Sequence, residues 1–171
     1  MQSQPKAPSI NIKQIIIGLI VLLIGTFLYF IDRPPGDIYF IKLLGTDLSR
    51  FDKCPAIFGR FGPNLPSFVH AFSFSLISAS ILGCRIRGAI IVCFGWVLIN
   101  ILFELGQKYH TAVNRFVPEW FDEVLFFENT RSFFRRGSYD HNDVVATCMG
   151  GVAALLIIVI TMDKKEVEFK E

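Results

Sequence analysis

The sequence predicts an all-α membrane protein, a four-transmembrane-helix bundle with an interfacial, aromatic-rich exterior loop. Three observations point there. The 171 residues are 52% hydrophobic with a mean hydropathy of +0.48, too apolar for an ordinary soluble domain of this length. The apolar residues cluster in four runs, each near the length that crosses the roughly 30 Å hydrocarbon core. The tight turn and both terminal segments carry Lys and Arg, while the two long connections balance theirs with acids, and it is the short segments that orient helices in a membrane.

The first run, Ile15 to Ile31, predicts a helix over about 14–31. It is longer than the roughly 7 to 15 apolar residues of a signal peptide, and no A-x-A-like cleavage site follows it. Asp32-Arg33-Pro34-Pro35-Gly36 reads as a helix stop, so the run is expected to be an uncleaved signal anchor. The second run, Phe68 to Gly83, is enriched in serine and predicts a helix over about 68–83. A turn-forming stretch, FGRFGPNLPS, precedes it, and Ser67 is the expected N-cap. The third, Ala89 to Leu105, predicts a helix over about 89–107 in which only Asn100 and Glu104 interrupt the run as strongly polar residues. The fourth, Val144 to Met162, predicts a helix over about 144–162. Residues 14–162 thus read as one membrane domain between an N-terminal arm, 1–13, and a charged tail, 163–171.

Lys6 and Lys13 lie in the arm, Arg85 and Arg87 in the tight turn after the second run, and Lys164, Lys165 and Lys170 in the tail. All three segments share one side in a four-span topology, so both termini are expected to be cytoplasmic. The net charge of +2 suggests no nucleic-acid partner. Cys93 and Cys148 fall within helices, Cys84 at the turn and Cys54 in the first long loop. This distribution offers neither a disulfide pair nor zinc-site spacing.

The first exterior loop carries an apolar patch, Asp37 to Leu44, suited to the membrane interface. The second alternates aromatics with charges from Phe116 to Phe134. It is expected to form a short amphipathic cover at headgroup level over the polar residues nearby. Small residues recur every four positions at Ala71, Ser75, Ala79 and Gly83, and again at Ala146, Gly150 and Ala154 with Gly151 alongside. Such stripes let helix backbones approach closely in lipid and mark expected helix contacts.

Asn100, Glu104 and Gln107 fall at i, i+4 and i+7, on one face of the third helix. In the four-span frame this stripe climbs toward the exterior surface. His70, in the first turn of the second helix, and Asp140 and Asp143, at the start of the fourth, lie at the same surface. Polar and ionisable residues at the edge of hydrocarbon are costly without partners or water, so their convergence marks a candidate site. Glu104 and His70 are the candidate proton-handling, catalytic residues, with Asn100, Gln107, Asp140 and Asp143 as candidate substrate-binding groups.

Structural roles compete at each position. Asp140 or Asp143 would serve equally as a helix cap or first-turn acid. His70 would serve as an interfacial histidine bonded to a loop carbonyl, and Glu104 as the partner of Arg131, Arg135 or Arg136. The acids are compatible with a divalent cation, but no spacing demands a metal and no cofactor is expected. Nucleophile-elbow, phosphate-loop and HExxH motifs are absent from the sequence.

Three blocks resemble the VanZ-like family of small bacterial integral membrane proteins. They are Leu65-Pro66-Ser67-Phe68-Val69-His70-Ala71-Phe72, Phe103-Glu104-Leu105-Gly106-Gln107, and Gly137-Ser138-Tyr139-Asp140-His141-Asn142-Asp143-Val144-Val145-Ala146. With Gly150 and Gly151 the likeness extends over roughly Pro66 to Leu156. Phe103 stands where many relatives carry aspartate, and Thr147 where asparagine is common. The resemblance implies a multi-pass protein of the bacterial inner membrane. Together with the polar convergence it suggests a pocket that binds or modifies a cell-envelope lipid or lipid-linked component. The competing expectation is a non-catalytic accessory subunit packed against a membrane-protein partner.

Overall fold

The computed structural model describes residues 10–32, 59–124 and 127–162. The arm up to residue 9, the Asp37 to Leu44 patch, Cys54 and the tail from residue 163 lie outside these described residues. The described residues form α1 (Ile12–Asp32), α2 (Leu65–Ile81), α3 (Ile86–Lys108), α4 (His110–Phe116), α5 (Thr130–Arg136) and α6 (His141–Thr161). Short 3-10 helices at Gly59–Asn64 and Glu119–Glu123 precede α2 and α5, and no strand occurs among the described residues.

Three helices are long and apolar enough to cross a membrane: α1 over Ile12–Tyr29, α3 and α6. Their large apolar side chains, including Leu23, Ile91, Phe94 and Ile160, are exposed. That distribution is inverted relative to a water-soluble core and suits a hydrocarbon solvent. Four apolar runs were expected to span. The remaining helix, α2, has 17 residues and packs against α1, α3 and α6. Protein surrounds much of it, which explains its composition: Ser73 and Ser75 are fully buried, beside Ala71, Leu76 and Ala79.

The small-residue stripes meet where α2 and α6 cross. A Cβ added at Gly150 would collide with the carbonyl oxygen of Phe68 and lie 3.2 Å from the Ala71 methyl. The two backbones therefore touch with no side chain between them. Toward the α2 C-terminus, Phe72, Leu76 and Ala79 continue the contact against Ala154, Ile158 and Met162, with Ala89 and Cys93 of α3 closing the cluster.

One end of the helix assembly is fastened by polar groups. Asn11 Nδ2 donates to the Thr161 carbonyl (3.0 Å), Gln14 Nε2 to Thr161 Oγ1 (2.9 Å), and Ser80 Oγ to the Asn11 carbonyl (2.6 Å). Three helix ends are joined, and the buried Gln14 is satisfied by its partner rather than by water.

At the same end α2 stops in a Schellman turn. The Cys84 N–H donates to the Ala79 carbonyl (2.9 Å) and the Gly83 N–H to the Ser80 carbonyl (3.0 Å). Gly83 adopts φ +57° to allow this. Gly83→Ala is expected to lower stability by about 1 kcal/mol, the cost of a Cβ in left-handed backbone. Urea-induced unfolding in detergent micelles would measure it.

Candidate functional site

The opposite end of the assembly holds the polar residues. Pro66 fits the first turn of α2, where a missing N–H costs nothing, so the helix begins at Leu65 rather than near Phe68. This shift changes the role of Ser67. It was expected as the N-cap, but it lies inside the helix, Asn64 takes the cap position, and the Ser67 hydroxyl donates to Asp143 Oδ1 at 2.9 Å. Asn64 Nδ2 donates to the same oxygen at 3.0 Å and to Asp140 Oδ2 at 3.2 Å. The two aspartates therefore lock the start of α6 to the start of α2.

Asp140 is also the N-cap of α6, accepting the Asn142 N–H at 2.9 Å. That bond, with the Asn64 amide second, holds the Asp140 carboxyl below its ordinary range. A depressed folded-state value stabilises the fold above the unfolded aspartate value near 4, and this contribution is lost as pH falls through the folded value. Acidification from pH 5 to pH 2 is expected to destabilise the wild type more than Asp140→Asn. Melting curves at stepped pH would check the difference.

Between α2 and α3 lies a recess of about 300 Å³ whose wall includes Ser67, His70, Asn100, Glu104, Gln107 and Thr147. Helical spacing sets this membership. Ser67, His70 and Phe74 occupy one face of α2, while Trp96, Asn100, Phe103 and Gln107 run along α3. Four of the six residues predicted from sequence, His70, Asn100, Glu104 and Gln107, thus share one wall. Asp140 and Asp143 do not line it, and their side chains are engaged by Asn64 and Ser67 just behind.

Glu104 accepts a long hydrogen bond from the Asp140 backbone N–H, 3.4 Å. The competing arginine pairing is not made among the described residues. Arg131 instead pairs with Asp122 at 3.1 Å and donates to the Val117 carbonyl at 2.9 Å. Among the described residues, Glu104 makes no ion pair. The α5 segment approaches α3 through aromatic contact: Phe134 is buried against Gly106, and Phe103 stacks on it at 5.8 Å. Arg131 and Arg135 of α5 line a separate cleft with Arg115 of α4.

His70 is exposed and stacks on Phe74 at 5.6 Å, and Phe74 stacks on Trp96 at 4.9 Å. No hydrogen bond joins His70 to Glu104 among the described residues, although both face the recess. Trp96 Nε1 donates to Ser78 Oγ at 3.0 Å, and Asn100 Nδ2 to the Trp96 carbonyl at 2.8 Å. Thr147 is 1% exposed, and its hydroxyl has no partner among the described residues.

Sequence reasoning missed Asn64 and Trp96 and did not assign Ser67 or Thr147 to the wall. A signal was present for two of them: Thr147 is four residues beyond Asp143, and Ser67 three before His70, each pair sharing a helix face. Among the described residues, no group of three or more His, Cys, Asp or Glu side chains is arranged to hold a metal ion. No protein-family description, curated protein or solved structure matches the chain.

Proposed function

We propose that this chain is a multi-pass protein of the bacterial inner membrane whose recess binds the headgroup of an envelope lipid or lipid-linked component. In this reading α2 is the fourth span of a four-helix bundle. Its 17 residues cover about 25 Å, short for a lone span but sufficient with the 3-10 entry segment beside it. Both termini are cytoplasmic and the recess opens at the exterior face. The order of the His70, Glu104 to Gln107 and Asp140 to Asp143 blocks, similar to that of VanZ-like proteins, supports the same assignment.

The observation that carries the reading is the Thr147 hydroxyl. Buried polar groups are nearly always paired. A buried hydroxyl with no protein partner, in the wall of a recess that also holds a carboxylate without a cation, favours a partner supplied from outside the chain. The surrounding apolar helix faces favour one delivered from the lipid. Since His70 and Glu104 are not hydrogen-bonded to each other, the arrangement supports recognition more directly than acid–base catalysis.

The test is purification of wild type and Glu104→Gln in nanodiscs formed directly from native membranes, with mass spectrometry of the co-purifying lipids. Wild type is expected to enrich a lipid species about tenfold over the variant, a difference of about 1.4 kcal/mol. Indistinguishable lipid profiles from two equally folded proteins would refute the proposal. The exposed Phe116 and Trp120 sustain the accessory-subunit reading. A stoichiometric protein partner in both preparations, without lipid enrichment, would favour it.

A further inference from the structure

The recess holds polar groups that the protein itself leaves unbonded. Three of its donors are consumed inside the protein, the Trp96 indole N–H by Ser78, the Asn100 amide N–H by the Trp96 carbonyl, and the Ser67 hydroxyl by Asp143, while the His70 ring and the Gln107 amide in the same wall make no hydrogen bond among the described residues. Acceptors remain in the same wall as well. Glu104 receives only the 3.4 Å bond from the Asp140 backbone. Asn100 Oδ1 and Thr147 Oγ1 receive none among the described residues. Hydrogen bonding alone thus admits either kind of ligand group, donor or acceptor.

Charge separates the two. Neither Lys nor Arg lines the recess, and the Asp140 and Asp143 carboxylates lie directly behind it. A phosphate or carboxylate entering would meet like charge with no compensating cation, the arrangement by which sites reject a ligand. The remaining wall is aromatic, with Phe74 and Trp96 stacked on one side and Phe103 and Phe133 meeting edge to face at 6.1 Å on the other. Aromatic faces beside a carboxylate attract cations through the ring quadrupole.

We infer that the recess recognises an ammonium group, with Glu104, Thr147 and Asn100 accepting its N–H donors and Phe74 and Trp96 flanking it. An alkylammonium offers three donors, enough for all three of these oxygens at once. This inference rests on the proposed lipid-headgroup function and names the chemistry of that headgroup. A lipid and a free amine present the same group, so the test includes both.

The full-length protein is delipidated in detergent and equilibrated with equal amounts of phosphatidylethanolamine, phosphatidylglycerol and N-acetylated phosphatidylethanolamine with matched acyl chains. Native mass spectrometry then counts the bound lipids. Phosphatidylethanolamine is expected to exceed each of the other two by about tenfold, with the preference collapsing toward parity in Glu104→Gln and weakening in Thr147→Val. In a Trp120→Phe background, phosphoethanolamine without acyl chains is titrated against Trp96 fluorescence. Binding as tight as that of the lipid would identify a free amine as the source, and much weaker binding a lipid, each retaining the ammonium assignment.

Equal retention of phosphatidylglycerol or the acetylated lipid, still dependent on Glu104, would overturn the ammonium assignment and leave the lipid site standing. Lipid retention with no dependence on Glu104 or Thr147 would overturn both. The acetylated-lipid comparison uses wild-type protein alone, so the assignment stays falsifiable even where a variant fails to fold.

Discussion

Gly150→Val is expected to lower stability by about 2 to 3 kcal/mol, the range for forcing extra atoms into packed contact. The nearest obstacle is the Phe68 carbonyl, a backbone atom inside α2, so relief requires the two helices to separate. Separation would also loosen the Phe72 and Leu76 contacts against α6 farther along the crossing. Gly95 provides the control, since nothing lies within 4 Å of a Cβ placed there. Gly95→Ala is expected to be neutral or to stabilise α3 by up to about 1 kcal/mol through helix propensity. Reversible unfolding of both variants in mixed micelles separates the effects. Equal stability of the two proteins would contradict the close crossing.

Asp143→Ala is expected to cost about 2 to 3 kcal/mol. The substitution strands the Ser67 hydroxyl and removes one of the two acceptors of Asn64, and partly buried donors without partners carry a desolvation penalty of about 1 to 3 kcal/mol. Asp143→Asn retains an oxygen in nearly the same position, so about half the loss is expected to return. Hydrogen exchange should rise in the first turns of α2 and α6 together, because Asp143 bonds both Asn64 and Ser67 across that junction. A rise confined to α6 would mean that the aspartate acts only within its own helix.

The sequence made the α3 stripe legible because one helical period relates Asn100, Glu104 and Gln107, and no tertiary information is needed to put them on a common face. The shared level of His70 and the aspartates followed from topology. What periodicity does not contain is the rotation of each helix about its own axis. That rotation turns His70 into the recess with Glu104 while directing the aspartates to Asn64 and Ser67 behind it. It is fixed by the contact of Gly150 with Phe68, a feature whose small-residue signal marks a touching face without naming the partner atom.

The competing Glu104–arginine pairing is absent for a related reason. The aromatic contact of Phe134 with Gly106 sets the placement of α5, and charge counting gives no weight to it. The earlier starts of α2, α3 and α6 likewise reflect local end chemistry. Pro66 suits a first turn, Asp140 caps His141–Thr161, and Arg87 lies in the first turn of Ile86–Lys108, where an apolar-run reading stops at charge. Long basic side chains tolerate such positions because their stems cover apolar surface.

The Schellman turn at Gly83 has a mechanical consequence. It joins α2 to α3 through only Leu82 to Arg85, and from there α3 runs some 30 Å to Gln107. The Trp96 bond to Ser78 braces this arm near its middle, and beyond it, among the described residues, only the 3.4 Å contact between Glu104 and the Asp140 cap ties α3 by a side-chain hydrogen bond to another element. A tilt of about 5° at the turn would displace the Gln107 end by roughly 3 Å, by the helix rise alone. The mouth of the recess is thus geared to an angle set at the opposite end of the helix assembly, and a stiffer or slacker pivot there would change its width without altering a single residue that lines it.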